Sequence, residues 1–140
     1  MNTMISSLGL GGPHAADRAA LILRVSLGAL FVAHAGLKIF VFTPAGTVDY
    51  FASLGLPAVV AYLTIAAELL GGLALIAGFQ TSLVALALIP VLLGAAVLGH
   101  GSNGFWFSNA GGGWEYPAFW TVALVVQAML GGGAFALSRN

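Results

Sequence analysis

The sequence predicts an all-α fold, a polytopic membrane four-helix bundle, and three observations lead there. Of the 140 residues, 60% are hydrophobic and only 6% are charged, with a mean hydropathy of +1.04. Soluble domains carry about 25% charged residues, so this chain cannot cover a globular surface with water-binding groups. Its apolar residues fall into four stretches, each near the roughly 20 residues that a hydrocarbon core requires. No stretch alternates with the period of two expected of a barrel wall, and lipid offers the backbone no partner outside a helix or a closed barrel.

Residues 1–17 (MNTMISSLGLGGPHAAD) lack an early Lys or Arg and a small-residue cleavage site, so they read as a short cytosolic lead-in, not a removed signal peptide. Residues 18–140 then form one membrane domain. Its first helix is expected over about 18–42, with Asp17 marking the N-terminus. The link Thr43 to Leu56 fits a short interfacial helix that buries Val48, Phe51, Ala52 and Leu54 and exposes Asp49. Pro57 opens a second helix over 57–79, which the uncharged turn GFQT joins to a third over 82–100. A fourth helix is expected over 116–137, with Pro117 in its first turn.

Charge is sparse, and it sets orientation. Arg18, Arg24 and Arg139 fall on one side of four spans, with Lys38 opposing them. The positive-inside bias makes that side cytoplasmic, N-in and C-in, with both long links outside. The zero formal net charge argues against a nucleic-acid partner. The absence of cysteine excludes disulfides, thiolate catalysis and cysteine-ligated metal clusters.

Ionisable groups at membrane depth cost at least about 2.5–3.5 kcal/mol each, so each marks a candidate site. At about 100° per residue, Lys38 lies roughly 40° and His34 roughly 80° from Arg24 around the first helix, with Gly28 and Phe31 in the same sector. Glu68 shares a face of the second helix with Thr64, Gly71 and Gly72. Gln127 is central in the fourth helix, beside Trp120 and Gly131, and Pro90 frees a carbonyl in the third. Arg24 is long enough to reach Glu68, giving either a structural ion pair or a proton-handling carboxylate. His34 and His100 could line one cavity. Two histidines with Glu68 or Glu115 lack the compact spacing of a known metal site such as HExxH, so no metal is assigned.

The remaining feature is the glycine-rich link GHGSNGFWFSNAGGGWEYP, Gly99 to Pro117. Its glycines permit positive φ at low steric cost, and Trp106, Trp114 and Tyr116 suit the membrane interface. Glu115 sits where a helix N-terminus favours a carboxylate. The link is expected to cover the outer mouth of the bundle, as an anchor or as a lid over a site.

Three motifs in order, RVSLGALFVAHAGLK (from Arg24), ELLGGLALIAG (from Glu68) and HGSNGF with GGWEYP (from His100), resemble the DoxX family of small four-helix membrane proteins of bacteria and archaea. One departure is His34-Ala35-Gly36, where many relatives carry His-Gly directly. The resemblance implies a cytoplasmic (inner) membrane location and a link to membrane redox complexes, among them a thiosulfate:quinone oxidoreductase, or to oxidative-stress defence. Some eukaryotic relatives act as assembly chaperones. It marks Arg24, Lys38, Glu68, His100, Asn103 and Glu115 as positions to test.

Two functions follow. In the first, the chain is an accessory subunit of a quinone/quinol-linked redox system. Glu68, His34 and His100 would then handle protons, and Arg24, Lys38, Phe31, Asn103, Trp106, Glu115 and Gln127 would form the binding walls. With no electron carrier of its own, it would need a partner redox subunit or a homo-oligomer. In the second, it is an assembly factor or scaffold whose polar face satisfies itself. A transporter is the weaker expectation, since no inverted repeat is visible.

Overall fold

The computed structural model describes residues 2–138 and contains helices, turns and no strand among them. Arg139, counted above for orientation, lies outside the described residues. Helix α1 (Asn2–Ser7) precedes α2 (Ala15–Gly36), which continues as a π-helical turn over Leu37–Val41. Next come α3 (Thr43–Ser53), α4 (Ala58–Ala77), and α5 (Thr81–Gly94) with its own π-helical turn over Ala95–Gly99. A short 3₁₀ turn (Gly101–Asn103) and the glycine-rich link lead to α6 (Glu115–Leu130).

Three helices are long and apolar enough to cross a membrane: Ala15–Val41, Ala58–Ala77 and Thr81–Gly99. The fourth, α6, has 16 residues and stops seven short of the expected Leu137. Gly131 and Gly133 adopt φ of +73° and +68°, outside helical geometry. Three successive glycines each disfavour helix by about 1 kcal/mol relative to alanine, and the freed segment 131–138 folds back across the bundle end instead. There Ala134 N–H donates to the Asp17 carbonyl (3.0 Å), Leu137 N–H to Ala77 (3.3 Å) and Ser138 N–H to Gly78 (3.1 Å).

Helices α2, α4, α5 and α6 pack in a ring as two close pairs, α2 with α4 and α5 with α6, and looser seams between the pairs. Small residues explain the first pair: a Cβ on Gly28 would sit 2.6 Å from the Gly72 carbonyl oxygen, so only glycine permits this approach. The neighbouring Gly71 instead receives Leu88 of α5. Leu27, Phe31, Leu75, Ala85, Leu88, Leu92, Trp120 and Leu124 form the dry centre. Large apolar residues such as Ile22, Leu63, Leu70, Leu83 and Met129 face outward, as lipid requires.

The π-helical turn of α2 docks α3. Thr47 Oγ1 shares its one hydrogen between the Lys38 carbonyl (3.2 Å) and the Thr43 carbonyl (2.9 Å). Thr43, at φ +65°, reverses the chain, and its hydroxyl accepts from Gly46 N–H at 3.2 Å. Helix α3 and the 100–114 link therefore share one end, the loop end. The α4–α5 turn and segment 131–138 occupy the other, the turn end, where Gly78 (φ +73°) closes α4 in a Schellman-type cap with Phe79 N–H on the Ala74 carbonyl at 2.9 Å.

Candidate ligand cavity at the loop end

Lys38, not Arg24, pairs with Glu68. Lys38 Nζ lies 3.1 Å from Glu68 Oε1 and 2.9 Å from Oε2, and both side chains are largely buried, at 16% and 6% exposure. The expected Arg24–Glu68 pair does not form, for two reasons of helix geometry. The Gly28–Gly72 contact sets a register in which Arg24 and Glu68 stand about 12 Å apart along the axis, at 1.5 Å rise per residue. In addition, helical side chains lean toward their own N-terminus. Lys38 therefore leans back toward Glu68, while Arg24 leans away from it.

Arg24 instead grips backbone. Its Nε donates to the Gly132 carbonyl (2.8 Å), Nη2 to Ala134 (2.8 Å), and Nη1 to Leu75 (3.1 Å) and Ile76. The last two are carbonyls of the final turn of α4, where a cation also meets the negative end of the helix dipole. Gln127 lies at the same end, donating from Nε2 to the Gly131 carbonyl (2.8 Å) and to Ala20 (3.3 Å). Both side chains are fully buried.

The polar groups at the loop end surround a cavity of about 850 Å³. His34 and Lys38 enter from α2, Thr64 and Glu68 from α4, and His100 from the end of α5. Tyr50 and Phe51 of α3, Phe107 of the link, and Tyr116 and Trp120 of α6 supply aromatic walls. His34 meets the Trp120 ring edge-on at 5.0 Å, and Phe31 packs against the same indole at 4.7 Å from beneath the cavity lining. Trp120 is 6% exposed, and its indole N–H has no hydrogen-bond partner among the described residues. The two π-helical turns both border this space through Leu37, Lys38, Ala95, Leu98 and Gly99, in keeping with the tendency of such turns to occur at functional sites.

Of the residues singled out in the sequence, Glu68, His34, His100 and Lys38 thus share one cavity, Phe31 supports it, and Arg24 and Gln127 lie at the opposite end. Asn103 does not line the cavity. Its Nδ2 holds the link, donating to the carbonyls of Gly111 (3.1 Å) and Gly112 (3.0 Å). Trp106 is 63% exposed, as an interfacial anchor would be. Glu115 begins α6, with its backbone N–H on the Phe105 carbonyl at 3.1 Å. Among the described residues, no three His, Asp or Glu side chains lie close enough together to hold a metal ion. Sequence reasoning missed the contributions of Tyr50, Phe51 and Phe107 to the cavity. Tyr116, expected at the membrane interface, also lines the cavity, and its i, i+4 spacing to Trp120 on one helix face is the signal that could have joined the two.

A family model named DoxX matches residues 19–101, the run from α2 through His100. The chain belongs to the DoxX family. His34, Lys38, Glu68 and His100 all fall inside the matched span, whereas Trp120 lies beyond it. The DoxX chain is also 39% identical over 77 residues to a Bacillus subtilis (strain 168) protein named "Putative oxidoreductase CatD". That alignment covers 55% of this chain and about half, 56%, of the relative's length. No solved structure matches the chain. As a DoxX protein with three helices able to span a bilayer, it is a multi-pass membrane protein.

Proposed function

We propose that this DoxX protein is an accessory subunit of a quinone/quinol-linked redox system in a bacterial or archaeal cytoplasmic membrane, with its loop end on the outer side. The observation that carries the reading is the cavity: about 850 Å³, walled by aromatic rings, with a buried ion pair and two histidines at its surface. Ligand sites commonly enclose about 300–1,000 Å³ of mostly apolar space with a few convergent polar groups. A quinone ring fits that description. It wants flat apolar walls, hydrogen-bond donors for its oxygens, and groups that exchange protons. Lys38 and the unpartnered Trp120 N–H are donors suited to ring oxygens, while Glu68, His34 and His100 are the proton-exchanging groups. The name of CatD adds support for redox chemistry in a relative. Electrons would pass to or from a partner subunit.

Purification in mild detergent followed by extraction of bound lipid tests the reading: co-purified quinone is expected, together with loss of quinol-linked activity in membranes carrying Glu68→Gln. Absence of quinone combined with full activity of that variant overturns it. One observation favours a scaffold instead: Lys38 and Glu68 pair with each other without a ligand. A scaffold would show a stable crosslinked neighbour in native membranes, unaffected by Glu68→Gln.

A further inference from the structure

One carbonyl in the 100–114 link orients a cavity residue. The Gly112 oxygen lies 2.9 Å from His100 Nδ1 and 3.0 Å from Asn103 Nδ2. A carbonyl oxygen only accepts, so His100 Nδ1 carries the hydrogen. In the neutral ring, Nε2 then keeps a bare lone pair.

The rest of the link holds this arrangement. Gly112 sits at φ +75°, and a Cβ there would come within 3.0 Å of Phe107 and 3.4 Å of His100 Nδ1, so the position is built for glycine. Asn103 is fixed by its second bond, to Gly111, and its own carbonyl accepts from Asn109 Nδ2 at 2.9 Å. Phe107 flanks the imidazole at 6.0 Å between ring centres. The hydrogen bonds of Asn103 and the fold of the link thus converge on one ring orientation and one tautomer.

We infer that His100 serves the cavity as a fixed hydrogen-bond acceptor through Nε2, and that the site therefore prefers an aromatic ring bearing a free hydroxyl, a phenol or hydroquinone, over the corresponding quinone. The inference rests on the proposed function, in which the cavity takes a ring of this kind. A hydroxyl donates to Nε2; a quinone oxygen there would set two lone pairs against each other. The other polar groups bordering the cavity do not reverse the preference. Lys38 can donate to either form, and Glu68 is paired with Lys38; the Thr64 hydroxyl donates to the Val60 carbonyl (2.8 Å) and the Tyr50 hydroxyl to the Gly99 carbonyl (3.5 Å), which leaves both to accept, while the Tyr116 hydroxyl both donates and accepts. His34, from α2, also borders the cavity and can accept from a second ring hydroxyl.

The test uses the full chain in detergent, in mildly alkaline anaerobic buffer, titrated separately with a short-tailed ubiquinone analogue and its chemically reduced quinol. His100→Asn keeps an N–H where Nδ1 stands, and so the bond to Gly112, but removes Nε2. Wild type is expected to bind the quinol more tightly. His100→Asn should lose about tenfold in quinol affinity with quinone affinity unchanged, the loss expected for one hydrogen bond. His100→Gln, which restores an acceptor near Nε2, should recover part of it. Nitrogen NMR of ¹⁵N-histidine protein, with the His100 signal assigned by its absence in His100→Asn, should report a ring protonated on Nδ1. Equal wild-type affinity for the two forms, equal weakening of both in His100→Asn, or a ring protonated on Nε2 overturns the inference and leaves the proposed function standing. Failure of wild type to bind either form overturns the proposed function, and this inference with it.

Discussion

Two cations on one helix face have opposite roles, and direction along the helix decides which. Lys38 leans back to a carboxylate, whereas Arg24 leans into the carbonyls that close α4 and tether segment 131–138. Removing one partner of a buried pair leaves an uncompensated charge and costs about 3–5 kcal/mol, while replacing both by apolar groups is often neutral. Lys38→Met should therefore lower stability by about 3 kcal/mol, and the double variant Lys38→Met, Glu68→Met should regain most of it, read by thermal unfolding in detergent. Equal losses in the single and double variants would contradict a coupled pair. Arg24→Lys retains the charge but not the planar fork that reaches four carbonyls. It should release segment 131–138 without emptying the cavity, seen as faster amide exchange at Ala134 and Ser138 with unchanged ligand binding. The sequence identified which residues needed buried partners, because ionisable groups in an apolar run stand out. It did not reveal the partners themselves. These depend on the axial register of α2 against α4, which the Gly28–Gly72 contact sets in three dimensions.

At the level of elements, the apolar runs and their breakers were legible, and the π-helical turns were not. Nothing in Leu37–Val41 or Ala95–Gly99 differs in hydropathy from ordinary helix; the extra residue per turn arises from how the helix ends meet α3 and the link. Helix α6 was overextended in the sequence reading because Ala134, Phe135, Ala136 and Leu137 look lipid-compatible, although three glycines precede them. The Thr47 hydroxyl ties α3 to the π-helical turn of α2, so Thr47→Val should cost about 1 kcal/mol for the hydrogen bond lost at the Lys38 carbonyl. The effect should appear as faster amide exchange confined to α3. Exchange that rises equally in α4 and α5 would mean that Thr47 supports the whole bundle instead.

Across the whole molecule, the two polar ends do not communicate. The cavity at the loop end is separated from the Arg24–Gln127 cluster by the dry layer of Leu27, Leu75, Ala85, Leu88 and Leu124. An ion crossing that layer would face the full cost of charge in hydrocarbon, so a single chain is expected not to conduct, and on the proposed function a proton exchanged in the cavity should return to the loop side. Because the chain has no cysteine, single substitutions can test this directly. Thr64→Cys places a thiol in the cavity wall, and Leu88→Cys places one in the dry layer. In sealed vesicles a membrane-impermeant maleimide should label Thr64→Cys from the loop side only, at least about tenfold faster than Leu88→Cys from either side, since thiolate formation and access both require water. A ring ligand that occupies the cavity should slow the first reaction and leave the second unchanged. Labelling of Thr64→Cys from the turn side at a comparable rate would mean that water passes the layer, and the one-sided cavity would have to be replaced by a pore.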